Sequence, residues 1–188
     1  MAIVYLVGFM GCGKSAVGAA LAEILGVPFV DLDERLEERL GESIAEFFAS
    51  RGEEAFRCEE SLALADVARL ERAVVATGGG AFCVEDNRRL VEASGVSVYL
   101  EAAWPTLLAR LPGEQAERPK FGDPVTARRL FEDREPLYRQ ARVTVAVDPH
   151  STPDELARRV AAAIREVAGQ AWAQPTQSAA VSEPGSDR

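Results

Sequence analysis

Eight residues near the start of the chain, Gly8-Phe9-Met10-Gly11-Cys12-Gly13-Lys14-Ser15, bring three glycines, a lysine and a hydroxyl together. Gly8, Gly11 and Gly13 permit backbone angles and close approaches that a Cβ forbids. The amides of such a turn, with the N-terminus of a following helix, face an anion. Lys14 suits β- and γ-phosphate charge, and the Ser15 hydroxyl suits Mg²⁺. The spacing is G-x-x-x-x-G-K-S/T, the phosphate-binding loop pattern. Its context fits as well. The apolar run Ile3-Val4-Tyr5-Leu6-Val7 precedes it as a buried strand, and Val17, Ala20, Leu21 and Ile24 follow at helical spacing. A nucleoside triphosphate is the expected ligand.

Other residue types of chemical interest lie further along. Asp31 and Asp33 flank the end of a second strand, and a period of two through Asp33 would point both carboxylates the same way. One could hold Mg²⁺ through its water shell while the other contacts a substrate hydroxyl; an N-cap at a strand end is the plain alternative. Gly78-Gly79-Gly80 exposes backbone after a third strand, where a ligand could approach closely. Arg57 stands among Glu53, Glu54, Glu59 and Glu60, which reads by default as a surface helix laced with ion pairs. Arg118 and Arg134 carry equally plain readings as solvated charge.

The elements that must position these groups alternate between strand and helix. After the first helix, Phe29 to Asp33 reads as a short buried strand. A helical block follows from Glu34 to about Leu70, broken at Gly41 and near Gly52, with Ser43-Ile44-Ala45-Glu46 as a capping box. Ala73–Thr77 is a third strand, Val84 to Ala93 a helix, and Val96–Leu100 a fourth strand. Pro105 and Thr106 open a short helix that stops at Leu111-Pro112-Gly113, and residues 112–124 read as a loop. Thr126 to about Gln140 is helical, with Pro136 bending or interrupting it. Val143–Val147 is a fifth strand. Thr152, Pro153 and Glu155 then start a last helix running to about Val167. The tail from about residue 171 has a disordered composition. Five strands alternating with helices predict an α/β fold of three layers, α/β/α, around a parallel sheet. Ligands of such sheets sit beyond the carboxyl ends of the strands. That gathers residues 8–15, Asp31, Asp33 and Gly78–Gly80 on one edge.

Composition narrows the function. The 188 residues suit one domain with a tail, residues 1–170 and 171–188. A net charge of −9, from 21 basic and 30 acidic residues, argues against nucleic acid as the main partner. Cys12, Cys58 and Cys83 form no C-x-x-C pair and suggest neither a disulfide framework nor a zinc site. No apolar stretch approaches 18 residues, so no bilayer span is expected. The first strand begins at residue 2 or 3, which leaves no room for a cleavable leader. A cytoplasmic protein is the expectation.

The ordered set of motifs resembles the shikimate kinase family, a branch of the nucleoside monophosphate kinase-like proteins. The resemblance spans about residues 2–165. It rests on residues 8–15, Asp31-Leu32-Asp33, Gly52-Glu53-Glu54-Ala55-Phe56-Arg57, Thr77-Gly78-Gly79-Gly80, Arg118-Pro119 and Arg134-Glu135-Pro136-Leu137-Tyr138. It implies transfer of the ATP γ-phosphoryl group to the 3-hydroxyl of shikimate, with Mg²⁺ as the ion and the protein as a monomer. It further implies that Gly11, Cys12, Gly13, Lys14, Ser15 and Ala16 hold ATP, and that Ser15 and Asp31 arrange the metal. Asp33 would orient or deprotonate the attacking hydroxyl. Arg57 and Arg134 would take the substrate carboxylate in a bidentate fork. Gly78, Gly79 and Gly80 would meet the substrate through backbone, and Phe48 and Phe56 would wall its pocket, within a substrate-binding segment at about 33–61. Arg118, on a mobile lid at about 112–124, would close over the transferring group. Two departures stand out. The family's lid continues Arg-Pro-Leu-Leu, whereas this chain has Arg118-Pro119-Lys120-Phe121, and the loop after the last strand carries the single histidine, His150. Rival expectations are another small-molecule kinase, for gluconate or a nucleotide, and a nucleotide-dependent switch. The third strand's lack of a terminal Asp and the absence of Asn-Lys-x-Asp count against a GTPase switch.

Overall fold

The computed structural model describes residues 2–114 and 124–168. The described residues form five strands in one all-parallel sheet of order β2-β3-β1-β4-β5. The strands are β1 (Ala2–Val7), β2 (Phe29–Asp31), β3 (Arg72–Ala76), β4 (Gly95–Ala102) and β5 (Val143–Val147). The helices are α1 (Lys14–Leu25), α2 (Leu32–Leu40), α3 (Ile44–Val67), α4 (Glu85–Ser94), α5 (Trp104–Glu114), α6 (Pro124–Tyr138) and α7 (Pro153–Ala168). A short 3₁₀ turn covers Ala81–Cys83.

Residue chemistry accounts for the order. Ile3 to Val7 in β1 have no solvent exposure, as a central strand covered on both faces requires. At the edge, β5 alternates buried Val143, Val145 and Val147 with exposed Thr144 and Ala146. The chain leaves β1 toward β2 in one direction and leaves β3 toward β4 in the other. Right-handed crossovers therefore put α1 and α4 on opposite faces. The packing agrees: α1 lies against α7 and β3, whereas α3 and α4 meet around the 3₁₀ turn. Gly18 lets α1 sit close to β2, since a Cβ there would lie 2.5 Å from the Phe29 ring.

Several expected boundaries shift. The second strand stops at Asp31, because its carboxylate accepts the Asp33 amide at 3.0 Å and N-caps α2. Asp33 thus sits in the first turn of a helix, and β2 is half-buried rather than buried. The long helical block divides as read: Gly41 ends α2, and Gly52, at φ 79°, kinks α3. Ser43 and Glu46 form the capping box. By contrast, α5 runs through Leu111-Pro112-Gly113 to Glu114, so part of the expected loop is helix. The α6 helix begins at Pro124 and passes unbroken through Pro136. Only two residues of helix remain beyond Pro136, so the missing amide weakens nothing but the last turn. The rest of the expected lid, residues 115–123 with Arg118, Lys120 and Phe121, and the tail from residue 171 lie outside the described residues.

Candidate active site

Strand register brings the chemistry together. Leu6 in β1 pairs with Ala76 in β3, and Ala76 pairs with Asp31 in β2. The residues just beyond are Gly8, Thr77 and Asp33, so three distant segments emerge at one level of the sheet edge. Thr77 ties two of them, donating its hydroxyl to the Leu6 carbonyl at 3.0 Å.

The first segment is the glycine-rich turn. Gly8, Gly11 and Gly13 all hold positive φ, and Gly13 leads directly into α1. No side chain caps that helix start, so its dipole and first amides stay open to an anion. The Lys14 ammonium donates to the Gly8 and Phe9 carbonyls at 3.0 and 3.1 Å. Cys12 is buried, with its sulfur 3.9 Å from that ammonium. Ser15 and Ala16 are exposed at the helix start. The Ser15 hydroxyl donates to Asp31 Oδ2 at 2.5 Å, while the other Asp31 oxygen caps α2. Two hard oxygens converging at a phosphate loop fit a Mg²⁺ ion that keeps waters and phosphate oxygens as its other ligands. Among the described residues no group of three or more His, Cys, Asp or Glu could hold a metal unaided. Arg110 adds a second cation to the loop, donating to the Gly11 carbonyl at 3.3 Å.

A cavity of about 430 Å³ opens here. Gly11, Gly13, Lys14, Ser15, Ala16, Asp31 and Asp33 line it, together with Met10, Glu34, Glu37, Ile44 and Thr77. Arg57, Arg134, Phe48 and Phe56 are not among its lining residues. Arg57 and Arg134 reach the Gly78–Gly80 turn instead, with Phe56 and Phe48 beside Arg57, and Asp33 belongs to both neighbourhoods.

At Gly78 and Gly80 a side chain would displace the charged groups of the site. A Cβ on Gly78 would come within 2.5 Å of Glu60 Oε1 and 2.8 Å of Asp33 Oδ1, and one on Gly80 would collide with the Arg57 guanidinium. Arg57 donates to Glu60 at 2.5 Å, and its other arm lies 3.5 Å from Glu53. The default surface reading therefore fails for Arg57: its partner Glu60 is only 1% exposed. Burial pushes the Glu60 carboxyl above the ordinary range, against the opposing pull of Arg57. Phe56 is buried and Phe48 half-buried, with ring centroids 4.4 Å apart and Arg57 over the Phe56 ring. From α6, Arg134 donates to the Gly79 carbonyl at 3.3 Å, and the Tyr138 hydroxyl donates to the same oxygen. His150 is exposed in the loop before α7.

The sequence alone gives no site role to Glu60, Arg110 or Tyr138. Glu60 had a visible signal, three residues after Arg57, but that spacing is the same for an exposed pair. Tyr138 lies one helical turn after Arg134 and so shares its face. Nothing in the spacing marks Arg110.

Comparison with known proteins completes the picture. Residues 10–165 match the family model for shikimate kinase. The chain is 44% identical over 164 residues to the shikimate kinase of Cereibacter sphaeroides, covering 86% of this chain and 81% of the relative. It is 40% identical over 174 residues to that of Rhodopirellula baltica, covering 89% and 92%. The solved shikimate kinase from Acinetobacter baumannii in complex with shikimate superposes with a TM-score of 0.83 at 32% identity, over 91% of this chain and 95% of that one. A gluconokinase from Sinorhizobium meliloti 1021, at 20% identity and a TM-score of 0.56, covers 89% and 93% and shares the fold alone. With its phosphate loop, its all-parallel sheet and these relatives, the chain belongs to the shikimate kinase family of ATP-dependent kinases.

Proposed function

We propose that this protein transfers the γ-phosphoryl group of ATP to the 3-hydroxyl of shikimate, giving shikimate 3-phosphate and ADP. One observation carries the acceptor half. Arg57 from α3 and Arg134 from α6 converge on the Gly78–Gly80 turn, which Asp33 touches at the mouth of the phosphate-loop cavity. Two guanidinium groups suit a carboxylate, and an adjoining carboxylate suits hydroxyls. An acidic polyol fits both requirements.

In this reading Gly11 to Ala16 hold the phosphates of ATP, and Lys14 exchanges its loop carbonyls for phosphate oxygens. Ser15 and Asp31 would hold Mg²⁺, which supplies charge neutralisation of the phosphates when bound. Asp33 orients the attacking hydroxyl, and Arg57 and Arg134 clamp the carboxylate. Gly78, Gly79 and Gly80 meet the acceptor through backbone, with Phe48 and Phe56 closing its apolar side. Arg118, between α5 and α6 and outside the described residues, would add positive charge over the transferring group and help exclude water. Phosphoryl transfer requires little covalent help, so alignment and charge would supply most of the acceleration. The reading also takes residues 1–170 as one kinase domain, monomeric and cytoplasmic, with the tail at 171–188 outside it. It takes two small molecules as partners, with neither nucleic acid nor membrane; the net charge of −9 disfavours a nucleic-acid surface. Among the described residues no helix is long and apolar enough to cross a membrane.

Arg57→Ala tests the clamp. Losing charged hydrogen bonds to a carboxylate costs about 1.5–3 kcal/mol, roughly a 10- to 150-fold rise in KM for shikimate. The KM for ATP should stay within about twofold of wild type. Equal losses for both substrates would remove the clamp from the account.

A further inference from the structure

The Gly79 carbonyl has more donors than it can fully use. The Tyr138 hydroxyl donates to it, Arg134 Nη1 reaches it at 3.3 Å, and the Cys83 thiol lies 3.9 Å away. A carbonyl oxygen offers two lone pairs, and the thiol is a weak donor, so the Tyr138 hydroxyl keeps this oxygen satisfied whether or not Arg134 is in place. Tyr138 cannot be the one that leaves. Its side chain has no solvent exposure, and its ring stacks on Tyr99 with centroids 5.5 Å apart. Arg134 is only half-buried, and its guanidinium sits on a long flexible stem where the tyrosine ring is packed.

The peptide joining Gly79 to Gly80 is planar and trans, so the Gly79 carbonyl and the Gly80 amide point in opposite directions. Holding the carbonyl therefore aims the amide. Gly80 is also the residue against which the Arg57 guanidinium packs. Control of this one peptide sets both a backbone donor and the floor beneath an arginine.

We infer that Tyr138 is a positioning residue for the acceptor half of the site. Resting on the proposed function above, it holds the Gly79–Gly80 peptide in register so that Arg134 can exchange the Gly79 carbonyl for the acceptor carboxylate. Arg134 pays no penalty of an orphaned carbonyl when it moves, because Tyr138 stays. The hydroxyl, and not merely the ring, is the working group.

Tyr138→Phe keeps the stacked ring and deletes that hydroxyl. Arg134 then becomes the principal donor to the Gly79 carbonyl and is held back from the ligand. The KM for shikimate should rise about tenfold, the equivalent of one buried hydrogen bond. The KM for ATP should stay within about twofold, as should kcat. A double-mutant cycle supplies the readout that a structural role would not move. In an Arg134→Ala background the added Tyr138→Phe change should have almost no effect on shikimate KM, because there is no arginine left to release. An unchanged shikimate KM in Tyr138→Phe overturns the inference. So does an equal rise for both substrates with a lowered thermal midpoint, or an effect fully additive with Arg134→Ala. Wild-type protein that shows no shikimate-stimulated ADP release would instead sink the proposed function, and this inference with it.

Discussion

At the scale of single residues, the proposed site sets one carboxyl where water cannot dilute its charge. Glu60 illustrates the cost. Its carboxylate is buried, and burial pushes its pKa upward while Arg57 pulls the other way. A carboxyl whose pKa rises on folding keeps more protons in the folded chain than in the unfolded one. Its contribution to stability is complete below the ordinary carboxyl range and is lost as pH rises through the raised value. Glu60→Gln removes that titration. The thermal midpoint of the variant, relative to wild type, should therefore climb as pH rises from about 4 to about 7. A difference that stays flat across that range would mean burial does not govern Glu60. The same group steadies Arg57 from 2.5 Å, so the instability it brings is exchanged for a guanidinium fixed beside Gly80.

At the scale of elements, each functional side chain depends on how its strand or helix ends. Asp31 ends β2 and caps α2 with one oxygen, which leaves the other for Ser15. Gly13 opens α1 without a side-chain cap, which leaves its amides for a phosphate. Close packing keeps these ends in register. A Cβ on Gly18 would press into the Phe29 ring at 2.5 Å and crowd Leu6 at 3.3 Å. Gly18→Ala should gain about 0.5–1 kcal/mol in helix preference yet lose about 1–3 kcal/mol to overpacking. The urea midpoint should fall; a higher midpoint would show that α1 has room to spare. What could be read from sequence follows the same logic. Strand-turn-helix around residues 8–15, the capping box at Ser43 and the breaks at Gly41 and Gly52 are local patterns, and each appears where its residues place it. Asp33 was read one element too early, because a strand's period and a helix's first turn look alike over two residues. The extension of α5 through Pro112 and Gly113 overrides local breakers that usually stop a helix. The contact of Glu60 with Gly78 and the pairing of Tyr138 with Gly79 join residues 18 and 59 apart in the chain. No spacing rule reaches that far.

At the scale of the whole molecule, a chain of net charge −9 is proposed to bind a polyanion and a carboxylate. The attraction must then be local. The fold supplies it by bringing Lys14, Arg110, Arg57 and Arg134 to the carboxyl edge of the sheet from α1, α5, α3 and α6. Sheet order does this with few alternatives. The connections from the neighbouring strands β1 and β3 leave in opposite directions, and the crevice lies at that switch point. Asp33, lining the donor cavity and touching Gly78, joins the two halves of the site. The central claim is that these halves serve one reaction with one acceptor. Its most direct test is ADP release from ATP and Mg²⁺, measured with and without shikimate and with gluconate in its place. Release should be strong only with shikimate and should match the shikimate 3-phosphate formed. ADP released at the same rate without an acceptor, or faster with gluconate than with shikimate, would contradict the account.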